Sequence, residues 1–240
     1  DDPGFMRILQ AVRDGEPDDE VLGELNGRVW PKRSLDDVDG YIVLTGTNAA
    51  AARENARRLS ELPGRVVNYA AEVTGRFDPG AFPTEPDLLL KVGARVMFLK
   101  NDPEQRWVNG SFGTVVELGD EGPAVELADG TAHLVKKTAW ENITYQYDRP
   151  GKQITREVVG SYRQLPLRLG WAITIHKSQG QTFDRVYIDL AGGAFSHGQV
   201  YVALSRCRSL AGLALARPLR ASDVMLDFSV GDYQRVFPPA

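Results

Sequence analysis

The chain has 240 residues, 42% of them apolar and 25% charged, with a formal net charge of −4. This is the composition of an ordinary globular protein, long enough for one large domain or two small ones. No apolar run approaches the ~18 residues that cross a bilayer as a helix, and Asp1-Asp2-Pro3-Gly4 is unlike a secretory signal. One cysteine, Cys207, excludes an internal disulfide framework and a thiol zinc site. These features predict a reducing, cytoplasmic setting and no membrane contact.

The first elements in chain order are two short amphipathic helices. Phe5, Ile8, Leu9 and Val12 form one apolar stripe and Val21, Leu22 and Leu25 another, with the turn Asp14-Gly15-Glu16-Pro17 between them. Tyr41-Ile42-Val43-Leu44 reads as a buried strand. Thr47 or Asn48 is a suitable cap for the helix that follows, whose apolar face is predicted at Ala52, Ala56 and Leu59 and whose end is Pro63-Gly64. Arg65–Tyr69 reads as a strand, and strand–helix–strand predicts a parallel α/β layer.

From about residue 87 the helical period disappears. Strands are predicted at 94–99, 112–118, 124–127, 131–135, 143–147 and 153–158, separated by turn signals such as Asn109-Gly110, Asp129-Gly130 and Asp148-Arg149-Pro150-Gly151. Short strands at this spacing suggest a small barrel of the SH3-like kind. Alternation then resumes with a helix over 165–179, a strand over 183–190, a helix over 198–206 and a strand over 213–216. The predicted fold class is α/β: a parallel-sheet domain from residues 1–86 with 155–240, carrying an inserted SH3-like β-barrel over 87–154.

Charge is uneven along the chain. Residues 1–40 hold 11 acidic and 5 basic side chains, whereas residues 155–220 hold 9 basic and 3 acidic. A phosphate-binding face is a local property, so the second region is a candidate surface for a polyanion despite the negative total. The bland alternative is a solvated basic surface without a partner.

Two stretches carry chemistry. In Ala172-Ile-Thr-Ile-His-Lys-Ser-Gln-Gly-Gln-Thr182 an apolar segment ends in consecutive polar residues and a glycine. Thr174, His176, Lys177 and Gln179 offer hydroxyl, imidazole, ammonium and amide groups that suit a sugar-phosphate backbone without reading bases. Gly180 can adopt the left-handed conformation or let an amide approach a phosphate closely. The competing reading is a polar helix end complementing its own dipole. In Tyr201-Val-Ala-Leu-Ser-Arg206, Arg206 stands at a helix end, where an arginine can reach into a cleft and stabilise charge on a transferring phosphoryl group. A structural arginine capping its own helix is the alternative.

Together these stretches resemble motifs V and VI of superfamily 1B DNA helicases, in the form found in RecD-like and petite-integration-frequency (Pif-type) enzymes. Leu88-Leu-Leu-Lys-Val-Gly-Ala-Arg-Val-Met-Phe98 and Val108-Asn-Gly-Ser-Phe-Gly-Thr-Val115 resemble the start of that family's SH3-like domain 2B, and Leu44-Thr-Gly-Thr-Asn48 its motif IV region. The resemblance covers nearly the whole chain. It implies that the parallel-sheet domain is RecA-like and that the chain is the second motor half, domains 2A and 2B, of a 5′–3′ DNA helicase that uses ATP and Mg2+. By this resemblance Arg206 is the catalytic arginine finger, Gly180 and Gln181 lie beside the nucleotide, and Thr174, His176 and Lys177 contact single-stranded DNA, with Thr45 and Asn48 as further DNA contacts.

The family also needs a P-loop, Gly-x-x-x-x-Gly-Lys-Ser/Thr, and an acidic metal-binding pair after an apolar strand. The chain has neither: Gly151-Lys152 follows Gln146 and precedes Gln153, and Asp19-Glu20 follows no strand. The chain is therefore expected to begin after the first motor domain, to hold no cofactor or metal alone, and not to hydrolyse ATP by itself. Its expected partners are single-stranded DNA and the missing P-loop domain, and the expected state is a monomer. The second function class is a non-enzymatic module for single-stranded DNA or protein. In it Lys91, Arg95, Lys100, Arg106, Lys136 and Lys137 line a path, with Trp107 or Trp140 stacking on bases unless these rings are core. A hydrolase built on Ser178 or Ser205 with His176 or His197 is disfavoured, because neither serine lies in a nucleophile elbow and no carboxylate is placed to orient either histidine.

Overall fold

The computed structural model describes residues 2–30, 40–148, 153–190 and 196–225; the Gly151-Lys152 pair and most of the turn that holds it lie outside them. Two compact units are present, one from residues 1–56 with 171–240, the other from residues 57–170.

The first unit is α/β. Helix α1 (Pro3–Asp14) is capped by the Asp2 carboxylate, which accepts from Phe5 N, and buries Phe5, Ile8, Leu9 and Val12 as the sequence spacing predicts. The Asp18 side chain caps α2 (Asp19–Asn26) in the same way, and Val21 and Leu25 are buried. The core is a parallel sheet of β1 (Ile42–Thr45), β12 (Ala172–Thr174), β13 (Val186–Asp189) and β14 (Leu213–Leu215), in the order β12-β1-β13-β14. All four residues of β1 and all three of β12 and β14 are buried. A parallel sheet covered on both faces demands such continuous apolar runs.

Helix α3 (Asn48–Glu61) follows β1, and its first turn is capped by Thr47, whose hydroxyl accepts from Ala50 N. The face predicted at Ala52 and Ala56 is exposed; Ala51 and Leu59 are buried, and Asn55 stands between them on the same side. Asn55 explains the rotation. Its amide donates to Ala172 O at 2.8 Å and accepts from Ala172 N at 2.9 Å, closing the outer edge of β12 as another strand would.

The second unit is antiparallel. Strands β5 (Arg95–Phe98), β6 (Phe112–Gly119), β7 (Gly122–Leu127), β8 (Ala132–Leu134) and β11 (Leu167–Leu169) form one sheet in the order β11-β5-β6-β7-β8. Strands β9 (Thr138–Asp148) and β10 (Gln153–Gln164) form a long ribbon flanked by β3 (Glu72–Gly75), and β2 (Val67–Ala70) pairs with β4 (Asp87–Leu90). Gln164, fully buried, donates to the carbonyls of Tyr69, Glu85 and Pro86 and accepts from Leu165 N.

Two predicted elements take another form. The helix expected over 165–179 is instead β11, β12 and a 3-10 turn at His176–Ser178. A short buried apolar run is compatible with helix or strand, and Ile173, Thr174 and Ile175 are β-branched, which favours the strand. The segment 65–69, expected beside β1 in the parallel sheet, gives β2, which pairs antiparallel with β4. Residues 57–86 and 155–170 therefore pack with the antiparallel unit, because β2, β3, β10 and β11 find all their partners there. Among the described residues no helix is long and apolar enough to cross a membrane.

Candidate functional site

In a parallel sheet the loops that leave the carboxyl ends of adjacent strands gather side chains from distant parts of the sequence. Strands β1 and β12 are neighbours in register, Thr45 opposite Thr174, and both run out at the same edge. Asn48 opens α3 just beyond β1; the segment after β12 carries His176, Lys177, Gly180 and Gln181. The tertiary structure thus brings together residues about 130 positions apart in the sequence, and Ile175 N donating to Thr45 O at 3.0 Å joins the two strand ends.

Within this edge the polar side chains divide into two sets. Thr45 and Thr174 are buried, with exposures of 2% and 6%. The Thr45 hydroxyl donates to Thr47 O, and that of Thr174 accepts from Lys177 N at 3.3 Å, opening the 3-10 turn. Ser178, also buried, donates its hydroxyl to Ile175 O at 2.7 Å. This leaves Ser178 unsuited to nucleophilic attack. By contrast His176, Lys177, Gln179 and Asn48 are exposed. Buried hydroxyls shape the turn, and the exposed imidazole, ammonium and amides face solvent.

Gly180 has φ +79°, and a Cβ added there would meet nothing within 4 Å. The glycine is required by its backbone conformation rather than by crowding, and the main chain on that side is open to a ligand.

Arg206 follows α4 (Gln199–Leu204). Its Nε donates to Val202 O at 3.0 Å and one terminal nitrogen to Gln181 O at 3.0 Å, with a longer approach to Ser178 O at 3.4 Å. The other terminal nitrogen donates to Ser205 Oγ at 2.9 Å, and that hydroxyl donates onward to Val202 O. Main-chain bonds reinforce the link, Phe183 N donating to Arg206 O and Arg208 N to Phe183 O. The helix end and the 176–182 loop form one hydrogen-bonded piece.

The remaining basic residues of 155–220 are divided between the two units. Arg156, Arg163 and Arg168 belong to the antiparallel unit, where Arg168 is largely buried and donates to Pro83 O. Arg208 pairs with Asp184 and Arg217 with Asp223. Asn55, which holds the edge of β12, is the position beneath this site that sequence reading missed. Its signal was present, a polar residue four positions from both Ala51 and Leu59 on the buried side of a helix. Among the described residues no group of three or more His, Cys, Asp or Glu side chains could hold a metal ion.

The parallel sheet, the 176–182 loop and the α4 end bonded to that loop define a class, and comparison with known proteins agrees with it. Residues 169–214 match the family described as the UvrD-like helicase C-terminal domain. The chain is 39% identical over 221 residues to the ATP-dependent DNA helicase PIF1 of Homo sapiens, covering 88% of this chain and 32% of that protein. It is 35% identical over 216 residues to that of Bdellovibrio bacteriovorus, covering 88% and 46%. Unliganded Pif1 from Bacteroides sp superposes with a TM-score of 0.85 at 33% identity, over 98% of this chain and 54% of that one. The same Bacteroides protein bound to single-stranded DNA gives 0.78 at 32% identity over 99% of this chain. The chain is similar to a part of the DNA helicases, and residues 169–214 match their UvrD-like C-terminal domain. Among them the likeness is to the Pif1 type, and the chain spans between about a third and a half of the length of these relatives.

Proposed function

We propose that this chain is the C-terminal motor half of an ATP-dependent 5′–3′ DNA helicase, in which the α/β unit is domain 2A and the antiparallel unit is an SH3-like domain 2B. His176 and Lys177 contact the single strand, Thr45 and Thr174 hold the strand ends and the turn beneath them, and Asn48 adds a donor from the start of α3. Gly180, Gln181 and Arg206 face the nucleotide. The observation that carries this reading is the bonding of Arg206 to the carbonyls of Ser178 and Gln181. A displacement of the DNA-facing turn is thereby transmitted to the arginine, and the reverse.

In the complete enzyme ATP with Mg2+ supplies the phosphoryl group whose transfer to water drives translocation. The chain's own contribution is positional. Arg206 is a permanent cation preset by backbone carbonyls, which it exchanges for phosphate oxygens, and the left-handed Gly180 leaves the loop's main chain accessible. The P-loop and the metal-holding carboxylates are assigned to a partner domain, since this sequence has no Gly-x-x-x-x-Gly-Lys-Ser/Thr. The chain alone should then bind single strands weakly, as a monomer, without hydrolysing ATP.

Fluorescence anisotropy with a labelled single-stranded oligonucleotide tests the DNA half of the reading. Thr174→Ala/His176→Ala should weaken binding at low salt; unchanged binding would remove the strand path from this loop. The nucleotide half is tested in a chain rejoined to a P-loop domain. There Arg206→Ala should abolish most DNA-stimulated hydrolysis, about 1,000-fold, while single-strand binding survives.

A further inference from the structure

The antiparallel unit contains a cleft of about 820 Å³ between the β5–β6 connection and the segment joining β8 to β9. Four cations line it, Lys100 and Arg106 from the first and Lys136 and Lys137 from the second, against two carboxylates, Asp102 and Glu104.

One cation is already committed. The Arg106 guanidinium donates to both oxygens of Asp102, at 2.7 and 2.8 Å, and the same carboxylate accepts from the amides of Glu104 and Arg106. The hydrogen-bonded Arg106 beside it holds the Asp102 carboxyl below its ordinary range. This knot fixes the loop so firmly that Gln105 sits at φ +60°, the one non-glycine in the left-handed region among the described residues. A conformation of that kind costs on the order of 1 kcal/mol and persists where the surroundings over-determine it. The wall of the cleft is therefore rigid in advance of any ligand.

The aromatic groups are committed too. Trp107 is 7% exposed, with Phe98 stacked on it at 4.5 Å and Arg106 over the ring at 4.7 Å. Lys100 lies over Trp140 at 4.9 Å and donates to Ala139 O. Neither ring offers the open face that base stacking needs. What the cleft presents is ammonium groups. Lys136 forms an exposed ion pair with Glu121, and Lys137 donates to Ala70 O and Glu72. An ammonium carries three protons, so Lys100 and Lys136 keep donors for a further acceptor. Lysines act as point charges on phosphate, whereas the planar fork that recognises carboxylates is occupied by Asp102. The chemistry favours a polymer of phosphodiesters over an acidic peptide.

We propose that this cleft is a second grip for single-stranded DNA, holding the phosphodiester backbone through Lys100, Lys136 and Lys137 without regard to base sequence. The choice of polymer rests on the single-strand reading above; the site is separate from the Thr174–Lys177 turn. The 240-residue chain with fluorescein-labelled oligothymidylate, titrated with salt, tests it. Lys100→Gln/Lys136→Gln should weaken binding about tenfold at low salt and reduce the slope of log affinity against log salt by roughly 1.4, about 0.7 per lost contact on a single strand. Lys100→Arg/Lys136→Arg should restore most of both. Thr174→Ala/His176→Ala should add to the loss. If the lysine pair changes neither affinity nor slope while the threonine–histidine pair does, the cleft is not a DNA site and the motor reading stands. If the lysine pair alone matters, the cleft is the grip and the motif V path fails. Equal competition by polyglutamate and unlabelled oligothymidylate, compared at equal charge, would overturn the preference for phosphate. Both lysines are at the surface, and an unchanged urea midpoint separates lost binding from lost folding.

Discussion

The two units of this chain use their charged side chains differently. In the α/β unit three arginines reach main-chain carbonyls, Arg28 donating to Leu213 O and Ala211 O, Arg206 to Val202 O and Gln181 O, and Arg217 to Leu190 O, while Arg208 and Arg217 also pair with Asp184 and Asp223. In the antiparallel unit cations mostly meet carboxylates near the surface, as Lys136 with Glu121, Arg156 with Glu141, and Lys137 and Arg163 with Glu72. A carbonyl-bound arginine fixes the geometry of a loop and is little affected by salt. An exposed ion pair is worth little and exchanges readily for another anion. The first arrangement suits a site that must transmit position, the second a surface that tolerates exchange.

The comparison can be broken at its glycines, where the largest effects are expected. A Cβ at Gly122, whose φ is +146°, would overlap Val135 O, and one at Gly212 would overlap Asp184 O. Gly122→Ala and Gly212→Ala should each cost about 3 kcal/mol or more. Urea unfolding followed by hydrogen exchange should locate the first loss in β6–β8 and the second around β13 and β14; equal losses everywhere would mean the units unfold as one.

Smaller effects are expected at the two buried amides. Asn55→Ala strands the N–H and carbonyl of Ala172, and Gln164→Ala strands three carbonyls, so each should cost roughly 2 kcal/mol. Asn55→Ala should also weaken single-strand binding because it frees the strand that carries Thr174, whereas Gln164→Ala should leave that loop intact.

Acid should separate the units further. Hydrogen bonds from Lys137, Arg106 and Lys136 hold the carboxyls of Glu72, Asp102 and Glu121 below their ordinary values, all in the antiparallel unit. A depressed folded-state value contributes stability above the unfolded value and loses it as pH falls through the folded one. Asp2 at the cap of α1 is held down likewise by the amides of Phe5 and Leu210. As pH drops below about 4, hydrogen exchange should therefore show the loss spread over the antiparallel strands but confined to the α1 cap in the α/β unit. The smallest effect belongs to Arg208→Ala, which removes a pair with Asp184 in which both partners are mostly exposed; urea unfolding should show a change under about 0.5 kcal/mol.

Much of this was legible before folding. The cap at Thr47, the stripes of α1 and α2, strands β5 to β8, and the polar run from His176 to Gln181 all follow from local spacing and side-chain chemistry. The strand β12 was misread as helix because the buried run ending at Ile175 is too short to reveal its period. The ribbon of β9 and β10 was underestimated in length, since its pairing depends on a partner strand rather than on the segment's own pattern.

The sequence by itself determined which groups are available: the two motif stretches, the Pif1-type kinship, the absence of a P-loop within these 240 residues, and the placement of glycines where the backbone turns left-handed. Only the tertiary structure decided their use. It set Thr45 beside Thr174, turned Asn55 rather than Ala52 toward the sheet, committed Arg106 to Asp102, and bound Arg206 to the loop after β12. The physical reason is that a sequence states donors and acceptors, while their pairing across long separations is chosen by register, burial and the requirement that every buried polar group find a partner.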